Sequence, residues 1–182
     1  MRTPSVTTVV RGLAALTLLG ALAACSSDSS TGDESTRNSA GEVIEAGDIG
    51  VFALQVGDCL DASAFLETVS DGDPAEVQGF AALPCTDTHT GEVILVDDEF
   101  FADLEEFPAS ADELYAAATE PCIAALDEYT GTSYDTSPYD FASLIPTEES
   151  WDVMKDRGLV CVGVTLNEAQ DATVETTESM RS

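Results

Sequence analysis

Positive charge is scarce in this chain: 6 Lys and Arg stand against 35 Asp and Glu, for a net of −29. So acidic a surface repels phosphate backbones and anionic lipid headgroups, which excludes nucleic acid as a partner. There is one histidine. No Gly-x-Ser-x-Gly elbow marks a serine nucleophile, and neither a phosphate-cradling Gly-x-x-x-x-Gly-Lys-Ser/Thr run nor a glycine-rich dinucleotide fingerprint occurs. No Cys-x-x-Cys pair is present, which speaks against a four-thiolate metal centre, and no cofactor or metal is expected. Long apolar runs are missing too, because the uncharged apolar run Leu13 to Ala24 is too short to span a bilayer as a permanent helix.

That short run is informative by its place. Arg2 and Arg11 precede it, and Leu22-Ala23-Ala24-Cys25 follows, so residues 1–24 have the order of a secretory leader. The four-residue end resembles the lipobox of bacterial lipoproteins, in which the cysteine is acylated and becomes the first mature residue. The expectation is a lipid anchor on Cys25 at the extracytoplasmic face of the cell membrane, two or three acyl chains holding stably where one would not. Removing Arg2 and Arg11 with the leader leaves 4 basic residues against the same 35 acidic ones, a net of −31.

After Cys25, residues 25–48 are read as a flexible polar linker, since its first part has no large apolar side chain to place in a core. At about 23 residues its span would be roughly 25 Å. Residues 168–182 are read as a polar, frayed C-terminal tail. The intervening 49–167 are the size of one domain.

Once Cys25 is set aside, Cys59, Cys85, Cys122 and Cys161 form an even set, which outside the cytoplasm reads as two disulfides. Apolar alternation predicts strands over Ile49–Leu60, Val77–Leu83, Glu92–Val96, Tyr139–Ile145 and Gly158–Leu166, with turns at Asp71-Gly72-Asp73-Pro74 and a capped helical turn at Pro146–Trp151. Ser110-Ala111-Asp112-Glu113 fits a capping box, and Leu114, Ala118, Cys122, Ala125, Leu126 and Tyr129 share one face of a helix closed by Gly131. Pro121 inside it predicts a kink or two shorter helices. The fold class is α+β: a small, mostly antiparallel sheet packed with one main, Pro-kinked helix and stapled by two disulfides. Four cysteines allow three pairings. Cys59–Cys85 is expected because each follows a strand of one sheet, and Cys122–Cys161 because the helix face must pack on the last strand. Strand order is not given by the sequence, so the other two pairings stay open.

Val56-Gly57-Asp58-Cys59-Leu60-Asp61, Leu83-Pro84-Cys85 with His89 and Glu92-Val93, a helix bearing Cys122, Phe141 to Pro146, Trp151, and Asp156-Arg157 ahead of Cys161 together resemble the septum formation family. Lys155 stands where the family pattern usually has glycine before Asp-Arg. The resemblance implies a tie to cell division or the envelope, with envelope or division proteins as partners, and implies no activity.

His89, Glu92, Trp151 and Arg157 are the candidate functional surface, although each has a plainer reading. His89 fits a structural loop residue bonded to Glu92 or backbone, Trp151 a core anchor, and Arg157 a partner for a nearby carboxylate. Two functions follow: a non-catalytic interaction module tethered to the membrane, and a small cell-envelope hydrolase using His89. Carboxylate pairs such as Asp97-Asp98 carry no weight among 35 acids.

Overall fold

The computed structural model describes residues 35–70, 77–170 and 172–182. The leader, Cys25 and the Asp71–Pro74 turn lie outside the described residues. Strand β1 (Thr36–Arg37) pairs antiparallel with β2 (Val43–Glu45) as a small hairpin. The main sheet is built from β3 (Gly47–Gly50), β4 (Cys59–Asp61), β5 (Gly79–Leu83), β6 (Gly91–Asp97), β7 (Tyr139–Leu144) and β8 (Leu159–Leu166). Their spatial order is β3-β5-β4-β6-β8-β7, every pairing is antiparallel, and a short β9 (Thr173–Val174) adds to β8.

Period-two alternation along β8 builds a core on each face of this sheet. Leu159 and Cys161 pack with Leu114, Ala118, Cys122 and Leu126 of helix α2 (Ala111–Thr130), whereas Val162 and Val164 join Phe65 and Leu66 of helix α1 (Ser63–Ser70). Gly163 lies on the α2 side, where packing is tight: a Cβ there would stand 3.0 Å from the Met180 Cε and 3.1 Å from the Ile94 Cγ2, so these side chains would have to shift.

Helix α2 begins as the sequence indicates. Ser110 is extended and its hydroxyl accepts from the Asp112 N–H at 3.1 Å, and Gly131 closes the helix in the left-handed region at φ 65°. Pro121 does not divide it; one helix of 20 residues runs through. The expected connectivity is the observed one. Cys59–Cys85 joins β4 to the end of β5 with Cα atoms 5.2 Å apart, and Cys122–Cys161 pins α2 to β8 at 5.6 Å.

Three regions depart from expectation. Ile49–Leu60 is not one strand, because after β3 the chain makes a 3-10 turn at Val51–Ala53 and then a tight turn at Gly57, whose φ of 99° suits only glycine. There the Gln55 N–H donates to the Asp58 carboxylate at 2.8 Å. The polar linker read over 25–48 is folded from residue 35 onward, carrying β1, β2 and the first half of β3. Finally, the tail read over 168–182 is tied down by β9, by reciprocal backbone bonds between His89 and Thr176 at 2.9 Å, and by burial of Met180.

Candidate functional site

Glu92 is the second residue of β6, paired in register with Cys59 of β4 and Gly163 of β8, so its side chain starts in the middle of the sheet. It is 1% exposed. A carboxylate taken out of water must be compensated, and three donors converge on it. Oε1 accepts from the Tyr129 hydroxyl and from the Ser179 hydroxyl at 2.7 Å, and Oε2 accepts from the Met180 N–H at 2.7 Å. The Arg181 guanidinium lies 4.9 Å over the Tyr129 ring. Burial, and then the Glu92 acceptor, push the Tyr129 phenol up to about 12.

His89 stands just before β6 and is also 1% exposed. Its Nδ1 is 2.8 Å from the Asp87 carbonyl, which can only accept, so Nδ1 carries the proton and Nε2 presents a lone pair. Nε2 is buried and has no hydrogen-bond partner among the described residues. Cys59 Sγ, a ring nitrogen of His89 and a carboxylate oxygen of Glu92 lie within 4.8 Å of one another. His89 thus bonds to backbone, as one reading held, and not to Glu92. Its ring has no hydroxyl partner, and the adjacent sulfur is committed to a disulfide.

Trp151 is held at the other end of the sheet by the helical turn Ser150–Met154. Thr147 caps that turn, its hydroxyl accepting from the Ser150 N–H at 3.0 Å while the Ser150 hydroxyl accepts from the Thr147 N–H at 3.0 Å. Trp151 is 1% exposed and meets Phe107 edge-on, with centroids 5.6 Å apart. Arg157 lies over the indole at 3.4 Å, a cation–π contact. Its Nη1 donates to the carbonyls of Trp151 at 3.1 Å and Asp156 at 2.7 Å. The expected carboxylate partner is therefore corrected: the Asp156 carboxylate turns to the Ser150 hydroxyl and the Gly158 N–H.

As a functional surface the four residues split. His89, Glu92 and Trp151 are interior, and only half-buried Arg157 reaches an open face. That face is a cleft of about 740 Å³ lined in part by Arg157, Lys155, Leu144 and three exposed apolar side chains. Phe52 is 63%, Val153 73% and Met154 56% exposed. Sequence reasoning missed these three, because Val153 and Met154 form a short apolar pair just after Trp151 and Asp152 with no period to give them a face, whereas Phe52 reads as part of an alternating strand.

No helix among the described residues is long and apolar enough to cross a membrane. Two mycobacterial proteins named "Putative lipoprotein LppN", from Mycobacterium tuberculosis and Mycobacterium bovis, are each 32% identical over 99 residues, covering 53% of this chain and 46% of theirs. The chain thus matches about half the length of these curated relatives. No solved structure matches it. The septum formation family model matches residues 56–182, which take in both disulfides, the Glu92 cluster and the Trp151–Arg157 stack, and the chain belongs to that family.

Proposed function

We propose that this protein is a lipid-anchored, extracytoplasmic lipoprotein whose domain acts as a non-catalytic interaction module in septum formation or a related envelope process. Family membership and the lipoprotein relatives support an envelope role. The Leu22-Ala23-Ala24-Cys25 sequence supplies the anchor, with Cys25 acylated and residues 1–24 removed as the leader.

The observation that carries the reading is the cleft. Phe52, Val153 and Met154 expose apolar surface together, beside Lys155 and Arg157, whose donors go to carbonyls and not to carboxylates. These are two of the four basic residues left in the mature chain. Asp98, Glu149 and Asp156 line the same cleft, so its charge is mixed and its apolar patch sets the partner: the occupant is a segment of an envelope or division protein that brings an apolar anchor.

Val153→Asp and Met154→Asp change exposed side chains, so the melting temperature should stay within a few degrees of wild type. In the native host these variants should fail to complement a deletion, and Cys25→Ser should leave an unprocessed precursor or a released domain. Full complementation by both cleft variants would overturn the docking surface, and normal detergent partitioning of Cys25→Ser would overturn the anchor.

A further inference from the structure

We propose that opening the Cys59–Cys85 disulfide turns the buried cluster of Cys59, His89 and Glu92 into a site for a divalent metal of zinc's chemistry, with Cys85 as a fourth ligand. Three kinds of donor preferred by zinc are already gathered within 4.8 Å of one another. All three side chains are at most 1% exposed.

The supports that a metal site needs around its ligands are also in place. A metal-binding histidine ordinarily donates its remote N–H to a carbonyl or carboxylate, which fixes the tautomer. His89 does this through Nδ1 to Asp87, leaving Nε2 with a lone pair, buried and without a partner among the described residues. Glu92 is held by Tyr129 and Ser179 on Oε1 and by Met180 on Oε2, so three of about four acceptor positions are taken and one remains on Oε2. What the cluster lacks is a free sulfur. A disulfide sulfur carries no charge and is a poor ligand; the thiolate is the ligand.

The two bridges differ in access. Cys122 and Cys161 are both fully buried, whereas Cys85 is half-buried and Cys59 fully buried. A dithiol reductant can therefore attack Cys85 Sγ. The S–S bond breaks, Cys59 leaves as thiolate and is protonated, and the second reductant thiol closes on the first, releasing Cys85 as a thiol and the reductant as its own disulfide. The metal then binds Cys59 and Cys85 with release of their two thiol protons. A bare Cys59 thiolate beside the Glu92 carboxylate would place two negative charges in a dry pocket, and a divalent cation removes that conflict.

The experiment uses the full chain carrying Cys85→Ser, which frees Cys59 while Cys122–Cys161 stays closed, with cobalt(II) as the probe. The expected result is one cobalt per chain on Cys59, His89 and Glu92, a water taking the place of Cys85, with a thiolate-to-cobalt charge-transfer band and the intense d–d bands of a four-coordinate site. The oxidised wild type should give neither, and His89→Gln added to Cys85→Ser should weaken binding by more than about tenfold. Weak octahedral spectra equal to those of the oxidised chain would mean surface carboxylates only and would overturn the site, as would bands undiminished by His89→Gln. Should Cys85→Ser not fold, wild type reduced by a phosphine serves instead. Zinc should then protect Cys59 and Cys85 from alkylation, and equal alkylation with and without zinc would refute the proposal.

Discussion

Arg37 closes a two-pronged pair on Asp58, with Nη2 2.7 Å from Oδ2 and Nη1 on Oδ1, across 21 residues of sequence. It is the one ion pair among the described residues in a chain short of cations. Arg37 sits in the β1–β2 hairpin, and its Nη1 also donates to the Gly41 carbonyl at 2.7 Å, so one guanidinium ties the hairpin to the turn that enters β4. Asp58 is 3% exposed. Removing its cation leaves an uncompensated buried charge, which costs far more than a surface pair is worth.

Arg37→Ala should therefore destabilise the domain by about 2–4 kcal/mol. Adding Asp58→Asn should recover part of that loss, because the stranded charge goes with it. Urea unfolding of both single variants and the double variant measures the coupling. Strictly additive losses would mean that the pair contributes nothing as a pair.

Lys155 occupies the left-handed region at φ 59° where it ends the Ser150–Met154 turn, and its N–H donates to the Ser150 carbonyl. This explains the glycine usual at that place in the family pattern. A non-glycine residue there is strained by about 1–2 kcal/mol, partly offset by the larger entropy glycine loses on folding. Lys155→Gly should raise stability by about 0.5–1 kcal/mol, read as a higher urea midpoint at unchanged slope. An unchanged or lower midpoint would show that the strain has been relieved locally.

What the sequence made legible, and what it hid, follows the reach of each signal. The caps at Ser110 and Gly131, the apolar face of α2 and the strands Val77–Leu83, Glu92–Val96, Tyr139–Ile145 and Gly158–Leu166 are written within a few residues, and each was found within a residue or two of its place. Cys122–Cys161 was legible because α2 had to cover the last strand, and Cys59–Cys85 because both cysteines lie at strand ends of one sheet, although the sequence left the other pairings open. Helix α1 has only eight residues, and its Phe65 and Leu66 are too few to show a period. The β1–β2 hairpin and the C-terminal segment escaped for another reason. Most of their residues are polar, their few apolar ones such as Val43 and Met180 are too isolated to show a period, and what holds them is distant: Asp58 for Arg37, and Glu92 for Ser179 and Met180. The functional surface was hidden similarly, since burial of His89, Glu92 and Trp151 is a property of the packed sheet and not of their neighbours in sequence.

The Tyr129 phenol, pushed up to about 12 from its ordinary 10, links stability to alkaline pH. A raised pKa means that the folded state favours the neutral form. Its contribution is therefore complete below about pH 10 and is lost as pH rises through 12. Tyr129→Phe should cost about 1–2 kcal/mol at neutral pH, because Glu92 loses one of three donors, and should flatten the fall in stability between pH 10 and 12. A residual slope remains from Tyr115 and Tyr134, both also raised chiefly by burial. Parallel stability curves for variant and wild type would contradict the linkage.

Deleting residues 179–182 tests whether the C-terminal end is a structural part of the domain. Met180 is 5% exposed within the core shared by α2 and β8, and its N–H and the Ser179 hydroxyl both donate to Glu92. Truncation exposes one face of that core, a loss of about 1.5–3 kcal/mol for a methionine side chain. It also strips two of three donors from a buried carboxylate, each worth about 1.5–3 kcal/mol when the acceptor is charged. Solvent entering the vacated space restores part of the hydration, so the net cost should be about 3–5 kcal/mol, enough to unfold a marginal domain. Glu92→Gln in the truncated chain should recover part of it, since a neutral amide is cheaper to leave short of donors. A tail that frays freely would instead give a truncated chain with the wild-type urea midpoint, and amide protons of Thr176 and Met180 that exchange as fast as those of an unfolded peptide.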